Sequence, residues 1–191
     1  MNHKTEIEKQ LNQSSSVFLD MVSRCGESMD KAANMMIEAV RNGNKILWCG
    51  NGGSAAQAQH LSTELVGGLR DHDRAAIPSI SLTTDSSFLT AWSNDTDFNS
   101  VFSRQISALG QKGDVLIGIT TSGNSDNVIK AVDIAEEMGI YTIIFTGKDG
   151  GEINEKADIT ITIPSDDTQR IQEGHILCGH ILCELVEQSL K

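Results

Sequence analysis

Residues 49–64, Cys49-Gly50-Asn51-Gly52-Gly53-Ser54-Ala55-Ala56-Gln57-Ala58-Gln59-His60-Leu61-Ser62-Thr63-Glu64, follow directly on the apolar run Ile46-Leu47-Trp48. The order is an apolar segment, a turn of glycines and Asn51, then a series of good helix formers. Such an order reads as a strand that ends in a tight turn and feeds a helix. A small-residue loop at a helix start presents unpaired backbone N–H groups and the positive end of the helix dipole. His60 and Glu64 are four residues apart and project from one helix face. An imidazole and a carboxylate in that arrangement suit metal ligation or proton transfer.

The same alternation continues beyond this segment. Short apolar runs at 46–49, 77–82, 115–119, 142–145 and 159–163 are mostly rich in β-branched residues, and helical patterns separate most of them. Runs of this length fit strands covered on both faces, so the expected fold class is α/β, a parallel sheet inside an α/β/α sandwich. The interval after Leu82 is long enough for two helices, near 88–92 and 98–109, and a last helix is expected over about 169–189. Two helices precede the first strand. In the first, Ile7, Leu11, Ser14, Phe18, Met21 and Cys25 recur at spacings of four and three, a narrow seam suited to helix–helix packing. The second carries Met29, Ala32, Ala33, Met36, Ile37 and Val40 on one face, with Gly43 as a stop. The expectation is one domain over 1–191, with 1–43 as a helical lead-in that takes part in oligomerisation.

Composition narrows the function classes. The 191 residues hold 26 acidic against 15 basic side chains, a formal charge of -11 without a basic run. Nucleic-acid binding through a basic face is therefore not expected. There is no apolar stretch long enough to cross a membrane and no leader pattern, so the protein reads as cytoplasmic. Cys25, Cys49, Cys178 and Cys183 lack a C-x-x-C spacing and have apolar neighbours, which favours buried free thiols.

Two further stretches carry chemistry. Gly118-Ile119-Thr120-Thr121-Ser122-Gly123-Asn124-Ser125 places four hydroxyls after the third predicted strand and before a helix from Asp126. Ligands bind beyond the carboxyl ends of strands in open parallel sheets, and hydroxyls with helix N-terminal N–H groups suit a phosphate dianion. The loop has neither the GxxxxGK[ST] lysine nor the spaced glycines of GxGxxG, which argues against nucleotide and dinucleotide. On the last helix, Gln172 and His180 are eight residues apart, about 12 Å along a straight helix. By spacing alone, sharing one ion between them is marginal geometry.

Taken in order, CGNGGS, the H-x-x-x-E of His60 and Glu64, Asn94-Asp95, TTSGNS, TGKDGG at 146–151, and RIQE with a later histidine resemble the phosphoheptose isomerases of the sugar-isomerase (SIS) domain family. The likeness runs from about Asn44 to the C-terminus. It implies a five-stranded parallel, flavodoxin-like sheet and a homotetramer whose active sites draw on neighbouring subunits. It implies conversion of D-sedoheptulose 7-phosphate to D-glycero-D-manno-heptose 7-phosphate, a first step toward the heptose of lipopolysaccharide or related glycoconjugates. Carried over by motif, Asn51, Gly52, Gly53, Ser54, Glu64, Asn94, Asp95 and Gln172 would contact the sugar, and Thr120, Thr121, Ser122 and Ser125 the phosphate. His60, Glu64, Gln172 and His180 match the family's zinc ligands, with Glu64 and His180 also its proton-transfer pair.

Residue types agree with that chemistry. Aldose–ketose isomerisation moves a proton between adjacent carbons through an enediol, for which a carboxylate base and an imidazole acid suffice. Two departures from the family pattern stand out. Where relatives often carry an Arg shortly after the Glu, this chain reads Val66-Gly67-Gly68-Leu69-Arg70, and Gln169 stands where some have Asp. Two non-catalytic readings compete: a tetramer of the same architecture that binds the bacterial replication initiator, and a phosphosugar-sensing module. The first branch lacks the groups matching Glu64 and His180, and the second needs no proton-transfer pair. This chain has both residues.

Overall fold

The structure is a computed structural model that describes residues 3–190; Met1, Asn2 and Lys191 lie outside the described residues. Seven α-helices and five strands are described in chain order. They are α1 His3–Arg24, α2 Gly26–Arg41, β1 Ile46–Gly50, α3 Gly53–Gly67, β2 Ser79–Ser81, α4 Ser86–Asp95, α5 Val101–Leu109, β3 Val115–Ile119, α6 Asp126–Glu137, β4 Tyr141–Gly147, β5 Ile159–Ile163 and α7 Thr168–Gln188. The strands form one parallel sheet in the order β2-β1-β3-β4-β5. After β1 the chain steps outward to β2 and then returns to the other side of β1 as β3. The crevice beyond the ends of β1 and β3 is therefore the topological switch point. Both loops read as ligand-binding from the sequence, 50–54 and 120–125, leave the sheet at that point.

Every residue of β1 and β3 is buried, the sheet glycine Gly118 included. The two faces bury different layers. Ile46, Trp48, Val115, Ile117, Ile143, Phe145, Ile161 and Ile163 pack with residues of α2, α3 and α7. Leu47, Cys49, Leu116 and Ile144 pack with residues of α5 and α6. Period-two alternation on a sheet covered on both sides explains the unbroken apolar runs. Trp48 is fully buried, and its indole N–H donates to Ser79 Oγ at 2.9 Å, tying β1 to the edge strand.

Three boundaries differ from the sequence reading. The run 77–82 yields only a three-residue edge strand, because Pro78 has no N–H for a ladder, although its carbonyl accepts from Ile46 N at 3.0 Å. The segment 98–109 divides into a 3-10 turn, Phe98–Ser100, followed by α5. In α1 the seam also divides. Met21 and Cys25 are buried and Phe18 is partly buried within the chain, whereas Ile7 and Leu11 are 58% and 65% exposed.

The two residues that flank the Ile171-Gln172 pair fasten α7 to α1. Arg170 Nη1 donates to Gln10 O at 2.7 Å and to Ser14 Oγ at 2.6 Å, and Arg170 Nη2 meets Glu173 Oε1 at 2.8 Å. Ser14 Oγ donates in turn to Glu173 Oε2 at 2.8 Å. At the far end of α7, buried Glu187 accepts from Leu69 N, Arg70 N, Asp71 N and Arg74 Nε at 2.8–3.2 Å. Burial alone would raise this carboxyl, but Arg74 and the backbone donors outweigh it and hold its pKa below the usual carboxylate range. All four cysteines are buried free thiols.

Candidate active site

Helices α3 and α7 lie side by side and run in the same direction, so residues far apart in the chain meet in register. Gly53 at the start of α3 faces Gln172, His60 faces His180, and the segment after α3 faces Glu187. The close approach depends on Gly179. A Cβ there would stand 3.0 Å from Leu61 Cγ and nearer still to its methyl carbons. Leu61 is next to His60 and Gly179 is next to His180, so the helix contact delivers the two imidazoles to each other. Their Nε2 atoms are 2.7 Å apart, with the rings edge-on. Glu64 Oε1 lies 3.2 Å from His60 Nε2.

One ligand atom each from His60, Glu64 and His180 falls within 4.8 Å of the others. Two imidazole nitrogens and a carboxylate oxygen are a donor set that zinc takes, and three protein ligands leave a position for substrate or water. The residues present therefore fit a zinc ion. His60 is the most exposed of the three, and the Glu64 side chain is only 16% exposed, so the cluster has one wet and one enclosed side. Gln172 is placed differently from these three. Its amide lies against Gly53, with Nε2 2.6 Å from where a Cβ at 53 would stand.

The glycine turn opens α3, seven residues ahead of His60. Gly52, at φ +55°, occupies a left-handed conformation that suits glycine. Next to the turn opens a small cavity of about 120 Å³ lined in part by Gly50, Asn51, Gly52, Ala55 and the aromatic ring of Phe98. Ser54 is turned into the fold and buried. The Asn51 amide is engaged with Asn127, each side chain donating to the other at 2.8 Å. Asn94 and Asp95 end α4 in exposed positions and are hydrogen-bonded to one another at 2.7 Å.

In the hydroxyl loop, Thr120 is buried with its Oγ1 3.0 Å from Ser125 Oγ, and Ser122 Oγ accepts from Asn124 N at 3.2 Å. Thr121, Ser122 and Ser125 are half-buried. The first backbone bonds of α6 come from Val128 and Ile129, both to Ser125 O, so the N–H groups ahead of them lie free for an anion. Residues 152 and 153, directly after the 146–151 segment, brace this loop: Ile153 N donates to Gly123 O and Glu152 N to Asn124 Oδ1, at 3.1 and 2.9 Å.

Arg70 does not stand in at the cluster for the arginine that the family resemblance leads one to expect. Its guanidinium meets Glu184 at 3.4 Å and is largely exposed. Two residues the sequence reading passed over touch the candidates. Gln57 Nε2 donates to Gln172 O at 2.7 Å while its Oε1 is buried without a partner, and Asn127 holds Asn51. Gln57 lies three residues before His60, so helical spacing was the available signal. Asn127 gave none, because its partner is 76 residues away.

His175, one turn beyond Gln172, is fully buried, with Nε2 3.0 Å from Thr146 O and Nδ1 unpartnered. Burial lowers its pKa to about 4, against a smaller opposing effect of the Thr146 bond. Its folded pKa is below the unfolded value of 6.5, so the neutral ring's contribution is complete above pH 6.5 and is lost as pH falls from there toward 4. The shift corresponds to about 3 kcal/mol. Thermal melts across that range should show a slope in wild type that His175→Leu flattens; equal slopes would contradict the buried neutral assignment.

The five-stranded 2-1-3-4-5 sheet thus brings two polar loops to one switch point, with a His–Glu–His cluster between α3 and α7. The family model described as "SIS domain" matches residues 11–147. The chain is 52% identical over 164 residues to a phosphoheptose isomerase of Aliarcobacter butzleri, covering 86% of each chain. It is 48% identical to one of Aquifex aeolicus, covering 97% of this chain and 96% of that one. A solved phosphoheptose isomerase from Neisseria gonorrhoeae superposes with a TM-score of 0.92 at 40% identity, over 98% of this chain and all of the other. The chain belongs to the phosphoheptose isomerase family of SIS-domain enzymes.

Proposed function

We propose that this enzyme interconverts D-sedoheptulose 7-phosphate and D-glycero-D-manno-heptose 7-phosphate. The observation that carries the reading is the meeting of His60, Glu64 and His180 between α3 and α7, with α3 leading directly out of the glycine turn at the switch point. The phosphate is bound by Thr120, Thr121, Ser122 and Ser125 with the N-terminus of α6. The carbonyl end lies toward the turn Asn51–Gly53, with Gln172 beside it and Asn94 and Asp95 as further sugar contacts. Buried Ser54 supports the turn from beneath.

In the ketose-to-aldose direction, Glu64 takes a proton from carbon 1 while His180 gives one to the carbonyl oxygen on carbon 2, which yields the enediol. Removal of the proton from the oxygen on carbon 1 and return of a proton to carbon 2 complete the aldehyde. A carboxylate and an imidazole within reach of adjacent carbons make both steps local transfers. Zinc, held by His60, Glu64 and His180 with Gln172 as the fourth candidate, would polarise the sugar carbonyl and hold the pair in place.

Among the described residues, no helix is long and apolar enough to cross a membrane. The proposed reaction takes place in the cytoplasm, on a free phosphosugar. The exposed apolar residues of α1, Ile7 and Leu11 with Leu19 and Val22, support assembly of four copies through this helix. A coupled assay of purified protein before and after chelation tests the reading. The expected result is isomerisation that falls at least about tenfold when metal is stripped, the loss typical of weakened metal support, and that returns with added zinc. Full activity in metal-free protein would remove zinc from the account. Capture of the replication initiator without any isomerisation would favour the binding-protein alternative.

A further inference from the structure

We infer that Asn127 is a positioning residue that locks the glycine turn after β1 to the first turn of α6. The tie is a closed pair of amides. Asn51 Nδ2 donates to Asn127 Oδ1 and Asn127 Nδ2 donates to Asn51 Oδ1, both at 2.8 Å. Asn127 is 2% exposed, so these bonds are screened from water on its side and form a rigid bridge. Nothing in the helix itself requires an amide at this position. Ser125 is the N-cap residue and makes no side-chain cap bond, and Asn127 is the second residue of α6.

The bridge joins two halves of the site. Asn51 begins the turn whose Gly53 packs on Gln172, while Asn127 stands two residues beyond Ser125, the last hydroxyl of the 120–125 loop. Strands β1 and β3 are hydrogen-bonded neighbours up to Gly50 and Ile119, but beyond those residues the ladder stops. The amide pair takes over the task of fixing one loop relative to the other. It also commits most of the Asn51 side chain: its carbonyl and one N–H face Asn127. What the turn offers a sugar is then chiefly its backbone N–H groups, held at a fixed distance from the phosphate end of the site. A misplacement of about 1 Å between binding groups can cost about 100-fold in rate, so Asn127 sets catalysis without touching the reacting atoms.

The kinetic part of the test rests on the isomerase reading above, and a second measurement does not. Asn127→Ala, assayed well below its melting temperature, is expected to lower kcat/KM about 10- to 100-fold. Asn51→Ala should do the same, and the double variant should be no worse than either single one, because the two amides act as one unit. Amide hydrogen exchange of residues 51–54 should quicken in Asn127→Ala while that of β4 stays unchanged. If Asn127→Ala does not fold, Asn127→Asp keeps the volume and can accept from Asn51 but cannot donate to its carbonyl. That variant should show the same faster exchange. Effects that multiply in the double variant, or unchanged exchange at 51–54 in a folded variant, would overturn the inference. Wild-type protein that fails to isomerise, yet shows the loop released in the variants, would count against the substrate reading and leave the tie standing.

Discussion

Glu64→Gln is expected to lower kcat by about 100- to 10,000-fold, the range over which a positioned general base acts, with folding and sugar-phosphate binding intact. The substitution keeps size and shape but cannot accept a proton from carbon. The Glu64 side chain is 16% exposed and lies 3.2 Å from His60 Nε2, so the neutral amide also takes a carboxylate away from His60 and removes one candidate metal ligand. Metal content measured on the same sample separates the two roles. A fall in kcat at unchanged zinc content identifies Glu64 as the base. A fall that excess zinc reverses identifies it as a ligand alone, and undiminished turnover with bound substrate removes it from the mechanism.

Gly179→Val is expected to damage both stability and activity from a position that touches no substrate. A Cβ at 179 runs into the Leu61 side chain, and Leu61 is itself fully buried in the core, so neither can step aside freely. Overpacking of this kind costs about 1–3 kcal/mol. The relief available is for α7 to move away from α3, which separates His180 from His60 and should lower kcat/KM about 100-fold. Thermal melting and steady-state kinetics measure the two effects. Leu61→Ala in the Gly179→Val background should recover much of the activity, because it returns the space for the helices to close. Wild-type kinetics in Gly179→Val would show that the imidazole pair does not depend on this contact.

The sheet was legible because burial on both faces produces continuous apolar runs, and β1 and β3 are buried over their whole length. The edge strand was overread, since the run extends over 77–82 while the ladder pairs only Ser79–Ser81, beyond Pro78. His60 and Glu64 were legible as a pair because helical spacing puts them on one face. His180 was not legible as their partner from spacing, since 120 residues separate it from His60. The distance of about 12 Å between Gln172 and His180 along one helix made a shared ion look marginal. In the fold, the two residues meet α3 at successive places along its length, Gln172 at Gly53 and His180 at His60. Motif resemblance supplied what periodicity could not. Neither reading exposed Asn127, Gln57 or the Arg170–Ser14–Glu173 fastening of α1, because each depends on a partner brought close only by folding.

The most direct measurement is an NMR time course of D-sedoheptulose 7-phosphate with zinc-loaded wild-type protein, run beside Glu64→Gln. The account predicts appearance of the aldoheptose 7-phosphate signals until equilibrium in wild type and their near absence in the variant. An unchanged ketose spectrum with wild type, or equal conversion by both proteins, would contradict it.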